Sequence, residues 1–171
     1  MTGVRTLKNV LDKVLAAACV VLFAVLVLDV VWQVFSRQVI GDPSTWSEEA
    51  ARYIFVWLGF FAAALVFSER GHIAVDFLVR KLPRGIERAV AVLVQVAIIA
   101  FAGIGLVWGG WRAAQGTWAT NLTALPTQIG KMYLVMPVTG TLIVIYALYH
   151  VTAVLRGDEV ATDASDVDDA I

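Results

Sequence analysis

Residues 46–67 read WSEEAARYIFVWLGFFAAALVF, with two carboxylates and an arginine at the head of an apolar run. A charged side chain at the centre of a spanning helix costs about 3 kcal/mol on insertion scales, so charges at a membrane threshold need partners. On a helix, Glu48 and Arg52 are four residues apart and Glu49 and Arg52 three apart. Both acids can therefore reach the guanidinium. At about 100° per residue, Trp46, Glu49, Tyr53 and Trp57 share one stripe. An aromatic stripe beside a charged clasp predicts a docking surface, within this chain or onto another.

Outward from this stretch, the chain is 60% hydrophobic and 16% charged over 171 residues. That balance predicts an all-α integral membrane protein. Four runs can cross a hydrocarbon core needing roughly 20 apolar residues: about 14–35, 50–67, 89–111 and 132–155. Nine basic residues fall at the two ends and between the second and third runs; four (Arg37, Arg52, Arg112, Lys131) fall on the other side. The positive-inside rule then places both termini in the cytoplasm. Trp32, Trp46, Trp108, Trp111 and Trp118 map to the outer half as an aromatic belt, while Trp57 lies deeper and is expected to pack on another helix. Six of the 14 acids lie in the last 14 residues, so 156–171 reads as an acidic, disordered cytoplasmic tail.

Local signals sharpen the outline. Thr45 with Glu48 three residues later forms a capping-box pattern for the second span. The stretch between the second and third spans mixes a turn, a short apolar run and a basic cluster, as an interfacial segment would. Gly116, Pro126 and Gly130 predict an outer loop folded over the membrane surface. The lone Cys19 lies inside the first apolar run, which excludes an internal disulfide or CxxC pair. Because that run continues to Phe35, the segment reads as a retained anchor and not a cleaved signal.

Reactive constellations are few. Asp29 is the one acid expected well inside a span, where a carboxylate invites a carrier role. A structural role is preferred, because no deep ionisable group in the third or fourth span would complete a relay. His72 and His150 sit near cytoplasmic span ends, and no other ligand cluster supports a haem pair there. His72 and Asp76 at i,i+4 read as a loop contact in preference to a metal site. No nucleophile–base set or phosphate loop is present, so no enzyme, cofactor or metal is expected. Gly105-xxx-Gly109 and Gly59-xxx-Ala63 allow close helix approach, expected mainly within the chain. Pro137, one turn into the fourth span, is tolerated there and can kink it.

In order, Arg37, Gly41, Trp46-Ser47-Glu48-Glu49, Arg52-Tyr53 and Trp57, then Gly71-His72-Ile73-x-Val75-Asp76 and Leu82-Pro83, resemble the small membrane subunit of tripartite ATP-independent periplasmic (TRAP) transporters. Pro126 and the Tyr133-xxx-Pro137 spacing are similar to that family's last span. The resemblance covers roughly residues 11–155. One departure is Gly59-Phe60-Phe61-Ala62, where a glycine nearer position 62 is expected.

The resemblance implies a four-helix bacterial inner-membrane subunit partnering a large multi-span permease subunit and an extracytoplasmic binding protein. It also implies sodium-driven uptake of an organic acid, typically a carboxylate, with substrate and sodium sites on the large subunit. This chain would then be a non-catalytic scaffold. Its Glu48/Glu49–Arg52 clasp would fix the start of the second span, and its Trp46, Tyr53, Trp57 stripe would pack on the first span or the large subunit. The alternative is a self-sufficient homo-oligomeric carrier or channel using Asp29.

Overall fold

The computed structural model describes residues 2–68 and 84–156. Helix α1 (Thr2–Phe35) ends in a π-helical turn, Ser36–Ile40, and is followed by α2 (Thr45–Ser68). Helix α3 (Arg84–Ala100) runs on through a π-helical stretch, Phe101–Gly109, into α4 (Gly110–Gly116). The short α5 (Ile129–Tyr133) and long α6 (Val135–Arg156) form the last arm. Four helical stretches are long and apolar enough to cross a membrane: Lys8–Ile40, Thr45–Ser68, Val92–Gly116 and Ile129–Thr152. The expected all-α, four-span architecture is therefore present. The expected interfacial segment after α2, with His72 and Asp76, and the acidic tail lie outside the described residues.

The spans pack in the order first, second, fourth, third. Helix α1 lies along α2, α2 also meets α6, and α6 rests on α3 and its π-helical continuation. The fourth span is thus the hub: 39% of its apolar window is buried, against 6–11% in the other three. Leu15, Ala64, Ala102, Ile143 and Tyr146 form the buried core, one or two from each span. The remaining apolar surface faces outward, as a bilayer-embedded bundle requires.

Close approach depends on two glycines. A Cβ on Gly110 would lie 2.5 Å from the Met136 Cβ and 2.9 Å from the Pro137 Cδ. One on Gly140 would lie 2.7 Å from the Leu106 Cβ. The pairs singled out from sequence do something else. Gly105 and Gly109 meet only residues of their own stretch, and Gly59 meets nothing within 4 Å. For the third span the physical reason is the π-helical stretch: its wider turns rotate Gly105 and Gly109 away and bring Ala102 and Gly110 against α6.

The arm breaks where Pro137 predicts. Leu134 separates α5 from α6, and its N–H donates to the Lys131 carbonyl at 3.3 Å. Proline has no N–H for the carbonyl four residues back, so the helix cannot run on undisturbed through this turn.

Candidate assembly site at the start of the second span

Helix α2 starts differently from the expected capping box. Thr45 is already helical, and the Glu48 N–H donates to the Ser44 carbonyl at 3.4 Å. The buried Ser47 hydroxyl donates to the same carbonyl at 3.2 Å. The preceding turn is closed by Gly41 at φ +78°, a left-handed conformation that suits glycine, and by the Ser36 hydroxyl donating to the Asp42 carbonyl.

The two adjacent acids then part company. Glu48 Oε1 lies 3.7 Å from Arg52 Nη2, with both side chains 67% exposed. An exposed pair of that geometry contributes about 0–1 kcal/mol. Among the described residues Glu49 forms no ion pair within 4 Å; its carboxylate reaches the loop before the fourth span. It accepts the backbone N–H groups of Thr123 at 3.2 Å, Ala124 at 2.7 Å and Leu125 at 2.8 Å. The expected double clasp on Arg52 is therefore a single one. A carboxylate is acceptor-only with two oxygens, and three successive amides form a concave nest that suits it better than one mobile guanidinium.

The loop that Glu49 holds has its own frame. Asn121 and Gln128 form an isolated antiparallel bridge. The Leu122 N–H donates to the Thr127 carbonyl and the Ile129 N–H to the Thr120 carbonyl, both at 2.9 Å. Leu122 is buried beneath it. Residues Asn121–Gln128 with Lys131 line an open cavity of about 540 Å³ on this loop. Gly130 seats the loop's end against α4: a Cβ there would lie 2.5 Å from the Ala114 carbonyl oxygen.

The aromatic stripe also points to the fourth span. The Trp57 indole N–H donates to the Met132 carbonyl at 3.2 Å, at the interrupted turn before Pro137. Its ring meets Phe61 edge-on at 5.7 Å. Of the stripe expected to pack on the first span or the large subunit, Trp57 thus meets the last span. Tyr53 is half-buried and Trp46 is 48% exposed. Pro126, Tyr133 and Arg37 are exposed, and Pro137 is half-buried.

Sequence reasoning missed the C-terminal end of the same helix. Asp12 accepts from Lys8 Nζ at 2.8 Å and from the Ser68 hydroxyl, tying α1 to α2. The buried Tyr146 of α6 brings its hydroxyl toward this pair without closing a hydrogen bond. The i,i+4 spacing of Lys8 and Asp12 was a readable signal; Ser68, 56 positions away, was not. Asp29 is half-buried in α1, and its buried Oδ2 has no hydrogen-bond partner among the described residues.

Residues 26–157 match the family model for tripartite ATP-independent periplasmic transporters, DctQ component. The chain belongs to that family. It is 26% identical over 170 residues to the sialic acid TRAP transporter small permease protein SiaQ of Vibrio cholerae, covering 98% of this chain and 96% of the relative. It is 35% identical over 79 residues to a putative TRAP transporter small permease protein of Haemophilus influenzae, covering 46% and 49%. It is also 27% identical over 118 residues to the isethionate TRAP transporter permease protein DctMQ of Oleidesulfovibrio alaskensis, covering 66% of this chain but 18% of the relative. A TRAP small permease subunit is a transporter component of the inner membrane and not an enzyme.

Proposed function

We propose that this chain is the non-catalytic scaffold of a secondary transporter that imports an organic acid with a sodium gradient. A large permease subunit would move the substrate, and an extracytoplasmic binding protein would deliver it. The observation that carries the scaffold reading is where the polar groups go. Glu49 is committed to a loop of the same chain, Asp12 to Lys8 and Ser68, and Trp57 to the Met132 carbonyl. Among the described residues, no three His, Cys, Asp or Glu side chains converge on a common point. A carrier needs a binding site it can open and close, and these groups are occupied in holding helices and loops.

The organic-acid class is supported by the relatives' names, sialic acid and isethionate, both small anions. The basic bias of the chain's two ends and of the stretch after α2 supports cytoplasmic termini. The Trp46–Trp57 motif, with Arg37, Pro126, Tyr133 and Pro137, is read as structural and assembly machinery, and His72 and Asp76 keep that role as sequence-based assignments.

One observation favours the second reading, a self-sufficient carrier: the partnerless Asp29 Oδ2 inside a span. Reconstitution separates the two. Purified chain alone in liposomes should show no sodium- or proton-coupled organic-acid flux, and Asp29→Asn in the full complex should leave uptake within about two-fold of wild type. Coupled flux from the chain alone, abolished by Asp29→Asn, would overturn the scaffold.

A further inference from the structure

We propose that the amides of Thr123, Ala124 and Leu125 form a carboxylate-binding site that Glu49 fills as an internal ligand. A small organic acid takes its place when Glu49 swings to Arg52. The inference deepens the organic-acid reading above and rests on it. Both Glu49 oxygens are used: Oε1 accepts from Thr123 at 3.2 Å, and Oε2 from Ala124 at 2.7 Å and Leu125 at 2.8 Å. The last two lengths are those of charge-assisted bonds. All three donors are backbone groups, so the nest recognises a carboxylate and not the residue that carries it. The loop also has a frame of its own. The Asn121–Gln128 bridge and the Leu122 and Ile129 amide bonds hold it independently of Glu49.

Room for an external acid lies beside the nest. Thr123, Ala124 and Leu125 themselves border the open cavity of about 540 Å³, and Asn121, Thr127, Gln128 and Lys131 supply further polar lining. Among the described residues no acid lines it, and Lys131 has no carboxylate within 4 Å. An anion seated there meets an ammonium group and three amides, and its competitor is Glu49. That side chain has a second partner within reach. Arg52 is exposed three residues further along the same helix, and its contact with Glu48 is a loose 3.7 Å. The Glu49–Arg52 clasp expected from the spacing is then the second state of the same side chain, the one that leaves the nest open. The site lies on a loop at one end of the bundle. It holds an acid without carrying it across, so the scaffold role stands.

Amide NMR titration of the full chain in detergent tests the site, with sodium acetate as the probe at constant ionic strength. In Glu49→Ala, acetate should shift the Thr123, Ala124 and Leu125 amides saturably. Chloride, a single centre, and neutral acetamide should leave them unmoved. In wild type the same amides should respond with a half-saturation about ten-fold higher, because the tethered Glu49 competes for the nest. Adding Lys131→Gln to Glu49→Ala should raise the half-saturation about three-fold, the loss of one exposed charge. No saturable response in Glu49→Ala, or an equal response to chloride, would overturn the site. A wild type unmoved at about thirty times the concentration that half-saturates Glu49→Ala would overturn the displacement of Glu49. If Glu49→Ala loses the loop fold, Glu49→Gln, which keeps one acceptor oxygen, replaces it in the titration. Uptake assays that find no organic-acid transport by the assembled complex are a different result: they would remove the organic-acid reading and leave the acetate response as measured.

Discussion

The two ends of α2 are both held by a carboxylate, in opposite ways. At its C-terminal end, Asp12 reaches from α1 to a side chain, Ser68, within the helical bundle. At its N-terminal end, Glu49 reaches from α2 to three backbone amides of a loop. The Asp12 contact joins two helices that already lie along each other, so it fixes their relative height. The contact at the N-terminal end ties a loop that already has its own backbone frame to the start of α2, so it fixes where that loop sits. One acid sets a helix register and the other builds a surface.

Breaking the Asp12 contact should have the largest effect on the bundle itself. Asp12→Ala leaves Lys8 and Ser68 without their shared acceptor in a part-buried seam, a loss of about 1–3 kcal/mol. Thermal unfolding in detergent should show a lower midpoint, with Asp12→Asn falling between it and wild type. Equal midpoints for Asp12→Ala and wild type would mean that the apolar packing of α1 on α2 sets the register alone.

The smallest effect is expected at Arg52, which sharpens the contrast between the neighbouring acids. Arg52→Ala removes only an exposed partner of Glu48, so the isolated chain should lose no more than about 1 kcal/mol. Assembly with the large subunit, measured by co-purification, should fall by more than that loss of stability explains. A large drop in the chain's own unfolding midpoint would place Arg52 in the loop latch and not on the outward face.

The four spans were legible because an apolar run of bilayer length is too long and too uniform for the core of a soluble domain this small. Trp57 was legible as a helix-contacting residue because an indole at that depth seeks a partner. The fourth span was not identifiable as that partner. Glu49's target was hidden for a chemical reason: it bonds backbone N–H groups, which nearly every residue supplies, so positions 123–125 carry no distinguishing side chain. The Gly105-xxx-Gly109 pair was misread because its spacing assumes an α-helix throughout. The π-helical stretch Phe101–Gly109 shifts the phase, and Gly110 and Gly140 take the close contacts instead. Asp12 stood outside the expected first span, yet it lies within the helical stretch Lys8–Ile40.

Amide hydrogen exchange at Thr123, Ala124 and Leu125 tests most directly whether the acidic motif is an internal latch. In wild type these three amides should be protected relative to neighbouring loop amides, and in Glu49→Ala their protection should fall at least about ten-fold while α6 amides stay unchanged. Unchanged exchange at all three positions in Glu49→Ala would contradict the latch and return Glu49 to the pool of groups available for a partner or substrate.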